Sequence, residues 1–186
     1  MTARSSPQTR LADAALRLLA KRPWRELSLA EIAKSARVPL AQLQTVAPAK
    51  GALLGLVLRR IGQDTAARYK PDRGARSARD RLFDVAMTWF EVLAGKKAAM
   101  RALYEGLRHD PLALLAQRDA FLEGAEWLMT LAQADNGPAL SLRAAGFAAI
   151  LARAVPVWLD DDADLTKTMA RLDGDLRRGE SLFGQM

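Results

Sequence analysis

The chain has 186 residues, half of them apolar, with no cysteine, one histidine, and 28 Lys or Arg against 21 Asp or Glu. The lack of thiols excludes a disulfide framework and a thiolate metal site and fits a reducing compartment. No stretch reaches the roughly 18 uninterrupted apolar residues of a membrane span, and Met-Thr-Ala-Arg-Ser-Ser-Pro at the start lacks the apolar run of an export signal, so a cytoplasmic location is expected. The charge is uneven. Residues 1–70 hold 13 Lys or Arg against 4 Asp or Glu, and residues 71–186 hold 15 against 17. The positive field of the first third suits a polyanion, either DNA or an anionic lipid surface.

Every periodic segment reads as helix. Ser6 and Pro7 make a cap and first-turn pair, and Leu11, Ala14, Ala15, Leu18 and Leu19 recur at helical spacing behind them. Trp24 and Leu27 close the following corner. Ser28 and Glu31 stand at the spacing of a capping box ahead of Ile32, Ala33 and Ala36, so a second helix begins there. Pro39 stops it and can open a third, Leu40 to Ala47. Two short helices joined by a tight corner predict a helix-turn-helix, whose second helix lies outside the fold and can enter a major groove. The candidate DNA contacts on and around it are Ser28, Arg37, Gln42, Gln44, Thr45 and Lys50. Glutamine pairs with adenine in the major groove, and the third helix holds no arginine to read guanine.

A fourth helix is expected from about Lys50 to Tyr69, with Leu53, Leu56 and Val57 inward. Pro71-Asp-Arg-Gly-Ala-Arg combines proline, glycine and charge, which divides the chain into a head, 1–70, and a body, 71–186. Ser77 with Asp80 opens the first body helix, whose inner positions are Leu82, Phe83, Ala86, Met87, Phe90 and Leu93. Met100, Leu103, Tyr104 and Leu107 give the next. Asp110-Pro111 starts one long helix carrying Leu114, Leu115, Phe121, Leu122, Trp127, Leu128 and Leu131, and Gly137-Pro138 ends it. Ala139 to Leu159 is apolar on most of its circumference and is expected to bend or break at Pro156. The last helix, from about Asp162 to Phe183, repeats Leu165, Met169, Leu172 and Leu176 in a narrow stripe. The fold class is therefore all-α, with about nine helices.

Such a stripe beside an apolar neighbour predicts a homodimer, in which Phe147, Ile150, Leu151, Leu165, Met169, Leu172 and Leu176 form a four-helix interface. Phe83, Met87, Phe90, Met100, Tyr104 and Trp127 are candidates to line a pocket for an apolar small molecule or lipid, with ordinary core packing as the plain alternative. Asp160, Asp161, Asp162 and Asp164 read as caps for the last helix in preference to a cation site, and no metal or other cofactor is expected. His109, at a helix junction, reads as a surface residue.

Arg10-Leu-Ala-Asp-Ala-Ala-Leu-Arg-Leu-Leu-Ala, Leu27-Ser-Leu-Ala-Glu-Ile-Ala, Val38, Leu43, Pro48, Lys50 and Ala52-Leu-Leu resemble the N-terminal domain of TetR-type transcriptional regulators over about residues 8–60. The resemblance implies an all-α homodimer that binds a palindromic double-stranded operator, with an effector pocket in the body whose occupation moves the heads apart. It also implies that Lys50 contacts phosphate. The third helix departs from the family pattern: Gln44, Thr45, Val46 and Ala47 stand where aromatic, basic or histidine, and aromatic residues are usual, and Leu40 and Ala41 replace a lysine and a glycine.

Arg81-Leu-Phe-Asp-Val-Ala-Met, and the segment from Val157 to Asp173, are loosely similar to a second group sharing this architecture, which includes the lipid-binding accessory protein of ubiquinone biosynthesis. That similarity implies sequestration of a lipid, a head that does not work on DNA, and peripheral contact with anionic membrane. An enzyme is the third possibility, and the residues give it little. One histidine and no cysteine leave no Cys-His pair and no three-histidine zinc set, there is no Gly-rich phosphate loop, and Glu91 and Glu105 are not paired by spacing.

Overall fold

A computed structural model describes residues 6–71, 77–136 and 139–179. The expected linker across 72–76, the Gly137-Pro138 separator, the first five residues and the end of the last helix beyond 179 lie outside the described residues. Among those described there are ten α-helices and one 3-10 turn, with no strand. In chain order they are α1 Pro7–Leu19, the turn Trp24–Glu26, α2 Leu29–Ala36, α3 Leu40–Val46, α4 Lys50–Arg68, α5 Ala78–Ala94, α6 Lys97–Leu107, α7 Pro111–Ala116, α8 Arg118–Leu131, α9 Leu140–Leu159 and α10 Thr166–Arg178.

These helices form two compact units that are not contiguous in sequence: residues 1–61 with 96–120, and residues 62–95 with 121–186. In the first, Ser6 accepts the Thr9 N–H at 3.2 Å with Pro7 behind it, which starts α1. Its buried face comprises Leu11, Ala12, Ala14, Ala15, Leu16 and Leu19 and packs on α2, α3 and α6. Leu18, expected inside, is only half-buried, because the apolar arc is centred on the Leu11–Ala15–Leu19 row and takes in Ala12 and Leu16 beside it. Ile32, Ala33, Leu43, Leu53, Leu56, Val57 and Leu103 complete this core.

The long helix expected from Asp110 is in fact two. Asp110 accepts the Ala113 N–H at 2.9 Å to start α7, which stops after six residues at Gln117. Gln117 is buried with its amide over Gly51 of α4, where a Cβ would lie 2.5 Å away. That inward turn separates α7 from α8 and leaves Leu114 and Leu115, expected inside, on the surface, with Leu112 78% exposed.

In the second unit Ser77 accepts the Asp80 N–H at 3.2 Å to start α5, which buries Leu82, Val85, Ala86, Phe90 and Leu93 and packs on α10. α9 runs through Pro156 to Leu159 without a break. The carbonyls after α8 are held by two arginines: Arg81 donates to those of Ala132 and Gln133, and Arg143 to those of Ala134 and Asn136. Cations there complement the negative end of α8. Asp161 accepts the N–H and hydroxyl of Thr168, each at 2.7 Å, and Asp164 accepts the Thr166 N–H at 3.2 Å, so both carboxylates serve the first turn of α10. Burial alone would raise the Asp161 carboxyl, but its donors outweigh that and hold it below the usual carboxylate range.

The proposed dimer stripe needs correction. Phe147, Ile150, Leu151, Leu165, Leu172 and Leu176 are buried within the single chain, where α9 and α10 pack on each other, and only Met169 is substantially exposed, at 37%. A narrow apolar stripe says that a helix has a partner, and here the partner is its neighbour in sequence.

Leu172→Ala is therefore expected to destabilise the monomeric chain by about 2–5 kcal/mol, and Met169→Ala by roughly 0.5 kcal/mol or less. Denaturant unfolding at a concentration where the protein is monomeric measures both, and a costlier Met169→Ala would contradict this packing.

Candidate nucleic-acid interface

The corner between α2 and α3 is built from local hydrogen bonds. Ser28 Oγ accepts the Glu31 N–H at 3.2 Å, while the Glu31 carboxylate accepts the Ser28 N–H at 2.9 Å and its hydroxyl at 2.8 Å, which is the reciprocal capping box. Arg22 donates to the same carboxylate at 2.7 Å and to the Glu26 carbonyl at 3.0 Å, tying the 3-10 turn to α2. The Arg22 guanidinium, then the Ser28 donors, hold the Glu31 carboxyl down at about 2.

α2 ends at Arg37, whose φ of 55° puts it in the left-handed region. The Val38 N–H bonds the Ala33 carbonyl at 3.0 Å and the Arg37 N–H that of Lys34 at 3.1 Å, the paired bonds of a Schellman stop. Glycine would take this conformation without strain, and arginine takes it at a cost of order 1 kcal/mol. Arg10 of α1 donates to the Arg37 carbonyl at 3.1 Å and fixes the corner to the core. Pro39 follows in extended conformation (φ −58°, ψ 145°) as the residue preceding α3, and its carbonyl accepts the Leu43 N–H at 2.9 Å.

α3 is anchored by one side. Leu43 is 4% exposed, Val38 before the helix is buried too, and Ala47 just after it is fully buried. Ala41 and Thr45 are four residues apart and share the middle of the outward face, with Gln42 and Gln44 flanking them, while Leu40, three residues before Leu43, lies on the anchoring side by spacing and is exposed because it begins the helix. All five are exposed, Leu40 at 59%. The Thr45 hydroxyl donates back to the Ala41 carbonyl at 3.3 Å. This face carries two amides, one engaged hydroxyl and apolar groups, with no charge and no aromatic ring. Arg37 and Lys34 are exposed at the corner beside it, and the unit as a whole holds 16 Lys or Arg against 6 Asp or Glu.

Of the six candidate DNA contacts, Arg37, Gln42, Gln44 and Thr45 are exposed at the corner and on α3. Ser28 is exposed too, with its hydroxyl engaged in the capping box. Lys50, at the first residue of α4, is turned inward: its ammonium donates to the Trp24 carbonyl and stands 4.7 Å from the centroid of the Trp24 ring. Burial pushes its pKa down, with Glu31 partly compensating. Trp24 also packs closely on Gly106 of α6, where a Cβ would come within 2.8 Å of the Trp24 Cβ. Trp24 was legible as a corner residue, but nothing in spacing alone marks it as the partner of a lysine 26 positions later.

The candidate pocket residues divide between the units. Met100 and Tyr104 lie on α6 of the first, Met100 buried and Tyr104 half-buried. Phe83, Met87, Phe90 and Trp127 belong to the second. Phe90 is fully buried against Trp89 and Trp158, with ring centroids 4.9 and 5.9 Å away, so it is core. Phe83 and Met87 are half-buried, and Trp127 is 44% exposed, its indole N–H donating to the Gly62 carbonyl at 3.2 Å.

Arg37 serves both shape and charge, and one substitution separates the two. Arg37→Gly is expected to raise stability by up to about 1 kcal/mol by relieving the left-handed residue, while weakening duplex binding and lowering its salt slope by about one contact. Thermal unfolding and binding titrations at several salt concentrations test this. A less stable variant, or an unchanged salt slope, would refute one half or the other.

No protein-family model matches the chain, and no curated protein resembles it significantly in sequence. Solved structures do. A TetR transcriptional regulator from Rhodococcus sp. RHA1 superposes with a TM-score of 0.67 at 15% identity, covering 92% of this chain and 94% of that one. One from Nitrosomonas europaea ATCC 19718 gives 0.63 at 15% identity, with 98% and 100% covered. A TetR-family regulator from Streptomyces coelicolor gives 0.56 at 20% identity, with 95% and 79% covered. The looser similarity to the lipid-binding accessory group finds no support among these structures. The chain has the all-α fold of TetR-type transcriptional regulators.

Proposed function

We propose that the chain is a DNA-binding transcriptional regulator that acts in the cytoplasm as a homodimer on a palindromic operator. The observation that carries this reading is the exposed face of α3, held by a capped and tightly turned corner on a unit with an excess of ten positive charges. A short helix anchored by Leu43 and Ala47 with its other side free is the form in which a recognition helix enters a major groove. The surrounding cations supply affinity for phosphate that does not depend on sequence. Arg37 is the phosphate contact in this reading; Lys50 would add a second only by leaving the Trp24 carbonyl, to which its ammonium donates. Residues 1–70 carry DNA binding. Residues 71–186 carry dimerisation, through faces of α9 and α10 other than the internal stripe, and response to an apolar small molecule. The chain works by binding and not by turnover.

Genome-wide recovery of DNA crosslinked to the protein tests this reading. Enrichment at a few sharp sites is expected, with duplex affinity in vitro falling about 0.9 decades per decade of salt for each phosphate neutralised. Uniform background recovery together with salt-insensitive duplex binding would refute it.

A further inference from the structure

We propose that α3 reads A·T base pairs at the centre of each operator half-site, with thymine methyl groups received by its apolar side chains and adenine by its amides. The inference rests on the DNA-binding reading and concerns what that surface can recognise.

The argument starts from what the outward face offers. Guanine presents two acceptors in the major groove, N7 and O6, and is read best by the paired donors of arginine or by lysine. α3 carries neither residue type. Cytosine presents a donor that a carboxylate accepts best, and α3 carries no carboxylate. Adenine presents an acceptor and a donor side by side, which the amide of Gln42 or Gln44 matches with one donor and one acceptor. Thymine presents a methyl group, and its natural counterpart is an exposed apolar side chain.

Leu40 supplies such a group. A leucine 59% exposed at the head of a seven-residue helix is not needed to anchor that helix, since Leu43 and Ala47 do so. Ala41 adds a small apolar patch at the middle of the face and lets the backbone come close to the base edges. The Thr45 hydroxyl proton is already donated to the Ala41 carbonyl, so this side chain has its methyl to offer more than a donor. Arg37 and Lys34 stand exposed at the corner beside a face that is itself neutral, so attraction to phosphate and choice of base are assigned to different residues.

The test is selection from random duplexes with the full-length protein, followed by titration of the selected site with each core thymine replaced by deoxyuridine, which removes only the methyl. Half-sites with an A·T core are expected. Each replacement under Leu40 or Ala41 should weaken binding about three- to fivefold, the worth of one buried methyl. Leu40→Ala should make the deoxyuridine and thymine sites equivalent at the position it covers. Gln44→Ala should lose about tenfold or more in preference for adenine at one position. Leu40 and Gln44 are exposed, and circular dichroism on both variants checks that they fold. A G·C core, or a selected site indifferent to deoxyuridine, overturns this inference and leaves the DNA-binding reading standing. No enrichment of any sequence at low salt overturns both.

Discussion

The constraint on which the rest depends is the turn between α2 and α3. Three features hold it: the reciprocal bonds of Ser28 and Glu31 at the start of α2, the left-handed Arg37 at its end, and the extended Pro39 that follows. Each is short-range, and together they leave α3 little choice of direction. Leu43 and Ala47 then fix which side faces in. Arg10 reaches from α1 to the Arg37 carbonyl, so the corner is also tied to the larger core. A seven-residue helix has almost no stability of its own in water. Its outward face stays presented because the corner and the two anchors hold it.

Charge and shape are divided between the two units. The first carries an excess of ten positive charges and the second an excess of three negative ones. Cations serve structure in both units: Arg10, Arg22 and Lys50 do so in the first. In the second, Arg81 and Arg143 hold the carbonyls after α8, and Asp175 is met by Arg153, Arg171 and Arg178 at 3.5, 2.8 and 3.0 Å. In the first, several cations are exposed at or near the corner, and the ion pairs formed, such as Arg60 with Asp13 at 3.1 Å, are partly exposed and contribute little to stability. A surface that attracts a polyanion and a helix that can enter its groove therefore occur on the same unit.

What the sequence made legible follows from how local each cause is. The caps at Ser6, Ser28, Ser77 and Asp110 involve residues three apart, and all four were readable from spacing and are formed as read. The break at Gln117 is not legible from local spacing, since the residue its buried amide lies over is Gly51, sixty-six positions earlier. The inward turn of Lys50 was missed for the same reason, since Trp24 meets it through the fold. The stripe from Leu165 to Leu176 was correctly seen as apolar and assigned to the wrong partner, because periodicity tells which face is buried and not what covers it. α6 and α7, which follow the expected boundary near residue 71, belong to one compact unit with the first helices, a grouping that no local pattern shows.

The central claim is that the middle of the α3 face is open in the free protein and covered by a duplex. The chain has no cysteine, so Ala41→Cys provides a single thiol at that position. Its rate of alkylation, measured with and without a saturating duplex at low salt, tests the claim most directly. The account predicts rapid modification of the free protein and strong protection by the duplex. Slow modification of the free protein, or equal rates with the duplex bound, would contradict it.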